Sequence, residues 1–412
     1  MKLVGLITEY NPFHNGHAYH LQKALQLTQA DAAVVVMSGD FVQRGAPAVC
    51  SKYERAAAAL RLGAAAVFEL PVSVSCQSAE FFAEGAVALL DRLGCIDALC
   101  FGCETSDPAI LTKAADLLLI EPVDYRIALK QNLKQGLSYP AARQAALASL
   151  DPAAAEAVMD PNNILAVEYL KALKKRNSRI EPCPLKRTGS GYHEAALSSS
   201  FSSATAIRQT LLQLSSGQPE ALGCLHTVLP SDTLEIIKRI WHTRAPLSSD
   251  DFSLLLKHCL LREDASSLTS YADVSEELAN RIYRNLDHYQ CISQFITLLK
   301  TRELTHSRIS RALFHILLGQ KADAIHRYRE ADYHFYARLL GFRRDSTNVL
   351  RKITSSSELP VLTAPAKSRF LPADGLQMLQ ENLYCTALYE SVLTNRFGQP
   401  GQNELRRKLL VV

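Results

Sequence analysis

The sequence has one tryptophan, four methionines and little net charge: 45 Lys+Arg against 41 Asp+Glu leave a formal +4 over 412 residues. A balance this mild does not by itself argue for a nucleic-acid binder. No uninterrupted apolar stretch approaches the ~20 residues that span a bilayer. The opening Met1-Lys2-Leu3-Val4-Gly5-Leu6-Ile7 breaks at Thr8-Glu9, too soon for the apolar region of a secretory signal. A soluble cytoplasmic protein, away from membranes, is the expectation. There is no repeat of fixed period and no low-complexity linker. With 48% hydrophobic and 21% charged residues, disordered, collagenous and coiled-coil chains are excluded. Ten cysteines are present, but only Cys100 and Cys103 form a C-x-x-C. A zinc site needs four ligands and no second pair lies nearby, so no metal site is expected and these thiols read as packing.

The first 105 residues alternate between short apolar runs and longer segments of helical period. Leu3–Thr8, Ala32–Ser38, Ala66–Leu70 and Ile96–Phe101 read as strands; His17–Leu27, Lys52–Leu62 and Ala79–Leu93 read as helices. That alternation marks βαβ units and a parallel sheet, whose ligands bind at the carboxyl ends of the strands. A helical insertion follows over about 108–176, then a strand at Arg179–Leu185 and a Gly/Ser-rich loop over 187–203. From about residue 218 the periodicity predicts helices at 231–243, 249–262, 273–286, 289–302, 306–319, 322–339 and 376–396. The domain break is expected near 215–220, separating an α/β domain (1–217) from an all-α domain (218–412).

The densest chemical signal is the first strand-to-helix turn, Thr8-Glu9-Tyr10-Asn11-Pro12-Phe13-His14-Asn15-Gly16-His17. His14 and His17 share one face of the first helical turn. A helix N-terminus offers N–H groups to an anion, and Gly16 would let backbone approach a phosphate. An isolated H-x-x-H would read as capping or surface histidines; the strand, the Asn-Pro turn and the helix supply the context for a triphosphate site. A second segment, Ser198–Arg208, packs hydroxyls before a helix carrying Arg208, an anion site in which Ser203, Thr205 and Arg208 would hold phosphate.

The H-x-G-H turn with the later S-S-x-T-x-I-R resembles the nucleotidylyltransferase superfamily of Rossmann-like proteins. The strings GLITEYNPFHNGHAYHL, SGDFVQRG (38–45), FGCE (101–104), PNNIL (161–165), LKRTGSGYH (185–193) and SSATAIR (202–208) resemble one branch, the bacterial tRNA(Met) cytidine acetate ligases. THSRISRALFHILLG (305–319) carries the likeness into the helical half. One departure is Cys103, where Ser is usual.

The resemblance implies a Rossmann-like ATP-binding domain with a helical tRNA-binding domain. It implies an ATP-dependent ligase that forms acetyl-adenylate and pyrophosphate, then acetylates N4 of the wobble cytidine in elongator tRNA(Met). Carried onto this sequence, the ATP-binding residues would be Ile7, Thr8, Glu9, Tyr10, Asn11, Pro12, Phe13, His14, Asn15, Gly16, His17, Ala18, Tyr19 and His20, together with Gly102, Asn162 and Arg187. His14 and His17 would stabilise the transition state, and Arg208 with Lys52 or Arg55 the departing phosphates. Lys52 and Arg55 read equally well as the start of a solvated helix. Mg²⁺ is expected to arrive with ATP, without an assignable protein ligand.

For the tRNA, basic residues gather at Lys171–Arg187, with seven Lys/Arg against Glu181, and over 301–350, with nine against five. Arg308 and Arg311, one turn apart, are the candidate RNA contacts. No protein partner is implied. Two other functions use the same motifs: an adenylyltransferase that builds a dinucleotide cofactor, and a nucleotide sensor without catalysis. The long helical half argues against the first, and the intact His14, Gly16 and His17 against the second.

Overall fold

The computed structural model describes residues 1–105, 107–187, 202–214 and 218–412. Most of the Gly/Ser-rich loop and the start of the expected boundary at 215–220 therefore lie outside the described residues. The α/β part runs β1 (Leu3–Thr8), α1 (Asn15–Thr28), β2 (Ala32–Ser38), a hairpin of β3 (Phe41–Val42) and β4 (Ala46–Pro47), α2 (Lys52–Arg61), β5 (Ala64–Leu70), α3 (Val72–Ser75), α4 (Ala79–Arg92) and β6 (Ala98–Cys103). The insertion is five helices: α5 (Pro108–Ile120), α6 (Val123–Lys134), α7 (Tyr139–Ala148), α8 (Pro152–Ala157) and α9 (Pro161–Lys175). β7 (Glu181–Lys186) and α10 (Ala204–Gln213) follow.

The strands pair in the order β10 (Leu410–Val411), β8 (Ala337–Phe342), β5, β2, β1, β6, β7. β5, β2, β1, β6 and β7 are mutually parallel. The chain passes from β1 to β2 on one side and later places β6 on the other, so the carboxyl end of β1 is a topological switch point. Side chains alternate across the sheet as the two-residue period requires. Val34 and Val36 face α4, α5 and α9, while Ala33, Val35 and Met37 face α1 and α2. Both faces are covered, which is why the strands read as continuous apolar runs.

The C-terminal half is helical, as expected: α11 (Ser231–Ile240), α12 (Ser253–Leu260), α13 (Ala265–Leu268), α14 (Glu276–Asn285), α15 (Ile292–Leu299), α16 (His306–Leu317), α17 (Ala322–Glu330), α18 (Thr347–Ser356) and α19 (Ala373–Phe397). It also contributes strands. The predicted helix 322–339 stops at Glu330, because Asp332 and Tyr333 adopt positive φ (60° and 66°). The chain then forms β8 (Ala337–Phe342), antiparallel to β5, followed by β9 (Val361–Leu362) and β10 (Leu410–Val411). Leu256, Leu278, Phe295, Leu313 and Phe314 build the helical core, and Phe41 of the β3–β4 hairpin is buried within it. Among the described residues, no helix is long and apolar enough to cross a membrane.

Candidate active site

The turn after β1 is held from below. Tyr10, at φ 48°, and Phe13 are fully buried with ring centroids 4.5 Å apart, and both pack against His17, at 4.9 and 5.6 Å. Asn11, also buried, accepts the Val49 N–H on its Oδ1 at 2.8 Å. Of the expected ATP stretch, Thr8, Tyr10, Asn11, Pro12 and Phe13 are thus buried support. Ile7, Glu9, Asn15, Gly16, His17, Ala18, Tyr19 and His20 keep some exposure.

His14 is the N-cap of α1. Its Nδ1 accepts the Gly16 N–H at 3.1 Å, while Nδ1 of His17 accepts the His14 backbone N–H at 3.3 Å, a reciprocal capping box. A neutral imidazole that accepts at Nδ1 carries its hydrogen on Nε2. The hydrogen-bond pattern thereby assigns one tautomer to both rings, which stack at 3.7 Å. Burial, then the charges of Arg187 and Arg208, push the His14 pKa down to about 3. Burial holds His17 well below its ordinary value, helped by His14, His20 and the same arginines. Burial and Arg187 lower His20 to about 4. His14 and His17 are neutral Nε2–H donors beside fixed cations, an arrangement suited to an anion whose charge grows during reaction.

Two details correct the expectation for this helix start. Its first backbone donors are already engaged: Asn15 N–H with the Val228 carbonyl at 3.1 Å, and the His17 and Ala18 N–H groups with the His14 carbonyl. Imidazole edges, rather than open amides, are therefore the donors left for a ligand. Gly16 answers to the same cap, since a Cβ there would lie 2.9 Å from Cε1 of His14.

The structure brings the second segment to the first. Ser203 caps α10 by accepting the Ala206 N–H at 3.1 Å. Arg208 donates from Nη1 to the Asn11 carbonyl at 2.8 Å and from Nη2 to Thr205 Oγ1 at 3.1 Å. At the ends of β6 and β7, Gly102, Asn162 and Arg187 converge on Glu104. Asn162 Nδ2 donates to Glu104 Oε1 at 2.6 Å, and Arg187 Nε pairs with that same oxygen at 3.2 Å. A Cβ on Gly102 would meet the Arg187 side chain at 3.2 Å. Glu104 is the residue that sequence reasoning missed as a site residue, although it closes the FGCE motif; nothing in the one-dimensional pattern joins it to Asn162 and Arg187.

Other candidates lie elsewhere. Lys52 is buried, with Nζ on Glu69 Oε1 at 2.8 Å, Thr386 Oγ1 at 3.0 Å and Glu404 Oε1 at 3.1 Å. Its donors are engaged by Glu69 of β5 and by two residues of the C-terminal half, so it is a structural ion-pair centre rather than a phosphate ligand. Arg55 is equally buried and donates to the carbonyls of Glu9, Ser38, Gly39 and Cys50, clamping the ends of β1 and β2. Neither residue starts a solvated helix. Arg311 is also corrected: 12% exposed, it pairs with Asp273 at 2.8 Å, while Arg308 is exposed. In the stretch from Lys171 to Arg187, Lys171 pairs with Glu168 and Glu80, Lys174 with Asp116, Lys175 with Glu84, and Arg176 with Asp91 and Asp332. Acids of α4, α5, α9 and the α17–β8 turn thus largely neutralise it. Cys100 and Cys103 are free and buried.

Residues 1–404 match the family described as HIGH Nucleotidyl Transferase. The chain is 39% identical over 398 residues to the tRNA(Met) cytidine acetate ligase of Caldanaerobacter subterraneus subsp. tengcongensis, covering 96% of both chains. It is 39% identical over 406 residues to the protein of that name from Clostridium kluyveri, again covering 96% of each. Among solved structures it is similar to Thermotoga maritima TmcAL, with 29% identity and full coverage of both chains. The TM-score is 0.92 for the apo form and 0.89 for the form bound with alpha-thio ATP.

Proposed function

This chain belongs to the tRNA(Met) cytidine acetate ligase family of HIGH nucleotidyl transferases, and on that premise we propose that it activates acetate with ATP and acetylates a tRNA cytidine. The observation that carries the reading is the pair of neutral imidazoles, His14 and His17, held in one tautomer beside Arg187 and Arg208. A carboxylate oxygen of acetate attacks the α-phosphorus, the bond to the β-phosphate oxygen breaks, and pyrophosphate leaves. The Nε2–H groups stabilise charge gathering on the α-phosphate, and Arg208 steadies the departing phosphates. Gly102, Asn162 and Arg187, gathered by Glu104, bind the nucleotide. The product is acetyl-adenylate.

In the second step N4 of the wobble cytidine of elongator tRNA(Met) attacks the acyl carbon, the carbon–oxygen bond to AMP breaks, and N4 gives up a proton to solvent. The activated donor is needed because the cytosine amine is delocalised into its ring and attacks only a reactive acyl group. A tRNA substrate sets this chemistry in the cytoplasm. Mg²⁺ bound to the phosphates would neutralise charge there; among the described residues no group of three His, Cys, Asp or Glu could hold a metal ion.

The test is to incubate the protein with radiolabelled acetate, ATP and total tRNA, then digest and identify the labelled nucleoside. N4-acetylcytidine, formed only with ATP and acetate and accompanied by pyrophosphate release, is the expected result. Pyrophosphate release driven by a mononucleotide instead of acetate would replace this reading with dinucleotide synthesis.

A further inference from the structure

The proposed reaction needs an RNA backbone held close to the β1 turn, and the basic stretch most obvious in the sequence, 171–187, is largely neutralised by acids. We infer that the RNA-docking surface is the tip of the β3–β4 hairpin together with the α15–α16 junction: Arg44, Lys300, Arg302, His306 and Arg308. This inference rests on the function proposed above and says where the tRNA is gripped.

The hairpin turn is tied on both sides. On one side, Gln43 donates its backbone N–H to Glu9 Oε1 at 2.8 Å and its side-chain amide to the Gln77 carbonyl at 3.0 Å. Gln43 thus touches a residue of the candidate active-site turn. On the other side, Gly45 has φ 73°, and a Cβ there would lie 2.5 Å from the Arg311 backbone. Ser310 Oγ donates to the Gly45 carbonyl at 2.5 Å. The hairpin is therefore seated directly on α16, and Arg44, exposed between Gln43 and Gly45, is near enough to His306 in the first turn of that helix for its charge to act on the imidazole.

The helix start carries matching charge. Lys300 ends α15, Thr301 to Leu304 form a tight turn (Leu304 N–H to Thr301 Oγ1, 2.9 Å), and Thr305 caps α16. Lys300, Arg302, His306 and Arg308 are exposed there, with Glu303 the one acid in that stretch. The cluster is compact enough that, after burial, the charges of Lys300 and Arg44 are what depress the His306 pKa. Lys300, Arg302 and Arg308 make no ion pair among the described residues, in contrast with Lys171, Lys174, Lys175 and Arg176. Exposed cations without internal partners are those that release counterions when phosphates replace them. The spacing also suits the chemistry, because Arg44 directly follows the residue whose amide touches Glu9.

The experiment measures binding of elongator tRNA(Met) transcript to the full chain across 50–200 mM salt, for the parent and the triple variant Lys300→Ala, Arg302→Ala, Arg308→Ala. Each lost phosphate contact removes about 0.7–0.9 from the slope of log K against log [salt]. The triple variant is therefore expected to lose about 2 from that slope and to bind roughly tenfold or more weakly at low salt. Its acetate-dependent ATP–pyrophosphate exchange should stay at the parent rate, which also shows that it is folded. The control triple Lys171→Ala, Lys174→Ala, Lys175→Ala should keep the parent slope. Parent-like affinity and slope in the first triple, with a parent that acetylates tRNA, would overturn the surface and leave the function standing. A parent that neither exchanges pyrophosphate with acetate nor binds tRNA would overturn both.

Discussion

A Cβ placed on Gly16 falls 2.9 Å from Cε1 of His14, so the glycine of the H-x-G-H turn and its first histidine occupy one another's space. Substituting Gly16→Ala forces the ring out of its cap. The helix gains about 1 kcal/mol of propensity from alanine and loses about 1 kcal/mol of capping. The two terms offset, so the melting temperature should stay near the parent's. Acetate-dependent pyrophosphate release should nevertheless fall by up to about 100-fold, as expected for a reacting group displaced by about 1 Å. Full activity in Gly16→Ala would mean that His14 need not hold its observed position.

The buried histidines make stability depend on pH in a defined direction. His14 and His20 titrate near 3 and 4 in the folded chain, against an ordinary 6.5. The unfolded chain therefore binds more protons below 6.5. Stability from these neutral rings is fully present above that pH and is lost as pH falls toward 4 and then 3. Urea unfolding at pH 7.5, 6.0 and 5.0 should show this loss, and His20→Gln should flatten the profile in that window. An unchanged profile in the variant would argue against a buried neutral His20.

Lys52 offers a clean contrast between support and catalysis. Removing its ammonium leaves Glu69 and Glu404 without their shared cation in a buried site, and Lys52→Met should cost about 3–5 kcal/mol, read as a lower urea midpoint. ATP affinity of the folded protein should stay at the parent value. The opposite pattern, intact stability with lost ATP affinity, would restore the phosphate role that the sequence suggested.

For Glu104, the shared acceptor of Asn162 and Arg187, truncation should act on nucleotide binding more than on turnover. Glu104→Ala is expected to raise KM for ATP about tenfold, the loss of one charged hydrogen-bonded pair, with kcat within about twofold. Glu104→Gln keeps an acceptor oxygen and should recover part of the loss. Combining Glu104→Ala with Arg187→Ala should add little beyond either alone; fully additive losses would show that the carboxylate does not act through the arginine.

The parallel sheet and the first turn were legible because their signals are local. Leu3–Thr8 is an apolar run, and the residues that cap α1 sit within three positions of one another. The strand at Ala337–Phe342 was not, since a strand buried on both faces loses its alternation, and ARLLGF continues the helical pattern of Ala324, Ile325 and Tyr328. No glycine or proline announces the turn that Asp332 and Tyr333 make. Lys52, Arg55 and Arg311 look alike in sequence to solvent-facing cations. Their burial is decided by partners such as Glu404 and Asp273, which no local pattern names. Glu104 was hidden for the same reason.

Tyr53 donates its hydroxyl to Glu404 across 351 residues of chain, and Lys52 meets the same carboxylate. On the ribosome, the nucleotide-binding turn and β5 are made long before β8, which covers the β5 edge, and Glu404, which completes the Lys52 ion pairs. Until β8 is made, the nascent protein therefore carries an unpaired β5 edge, and Lys52 has Glu69 without Glu404. A stop before Ala337 would leave an adhesive edge rather than a smaller enzyme.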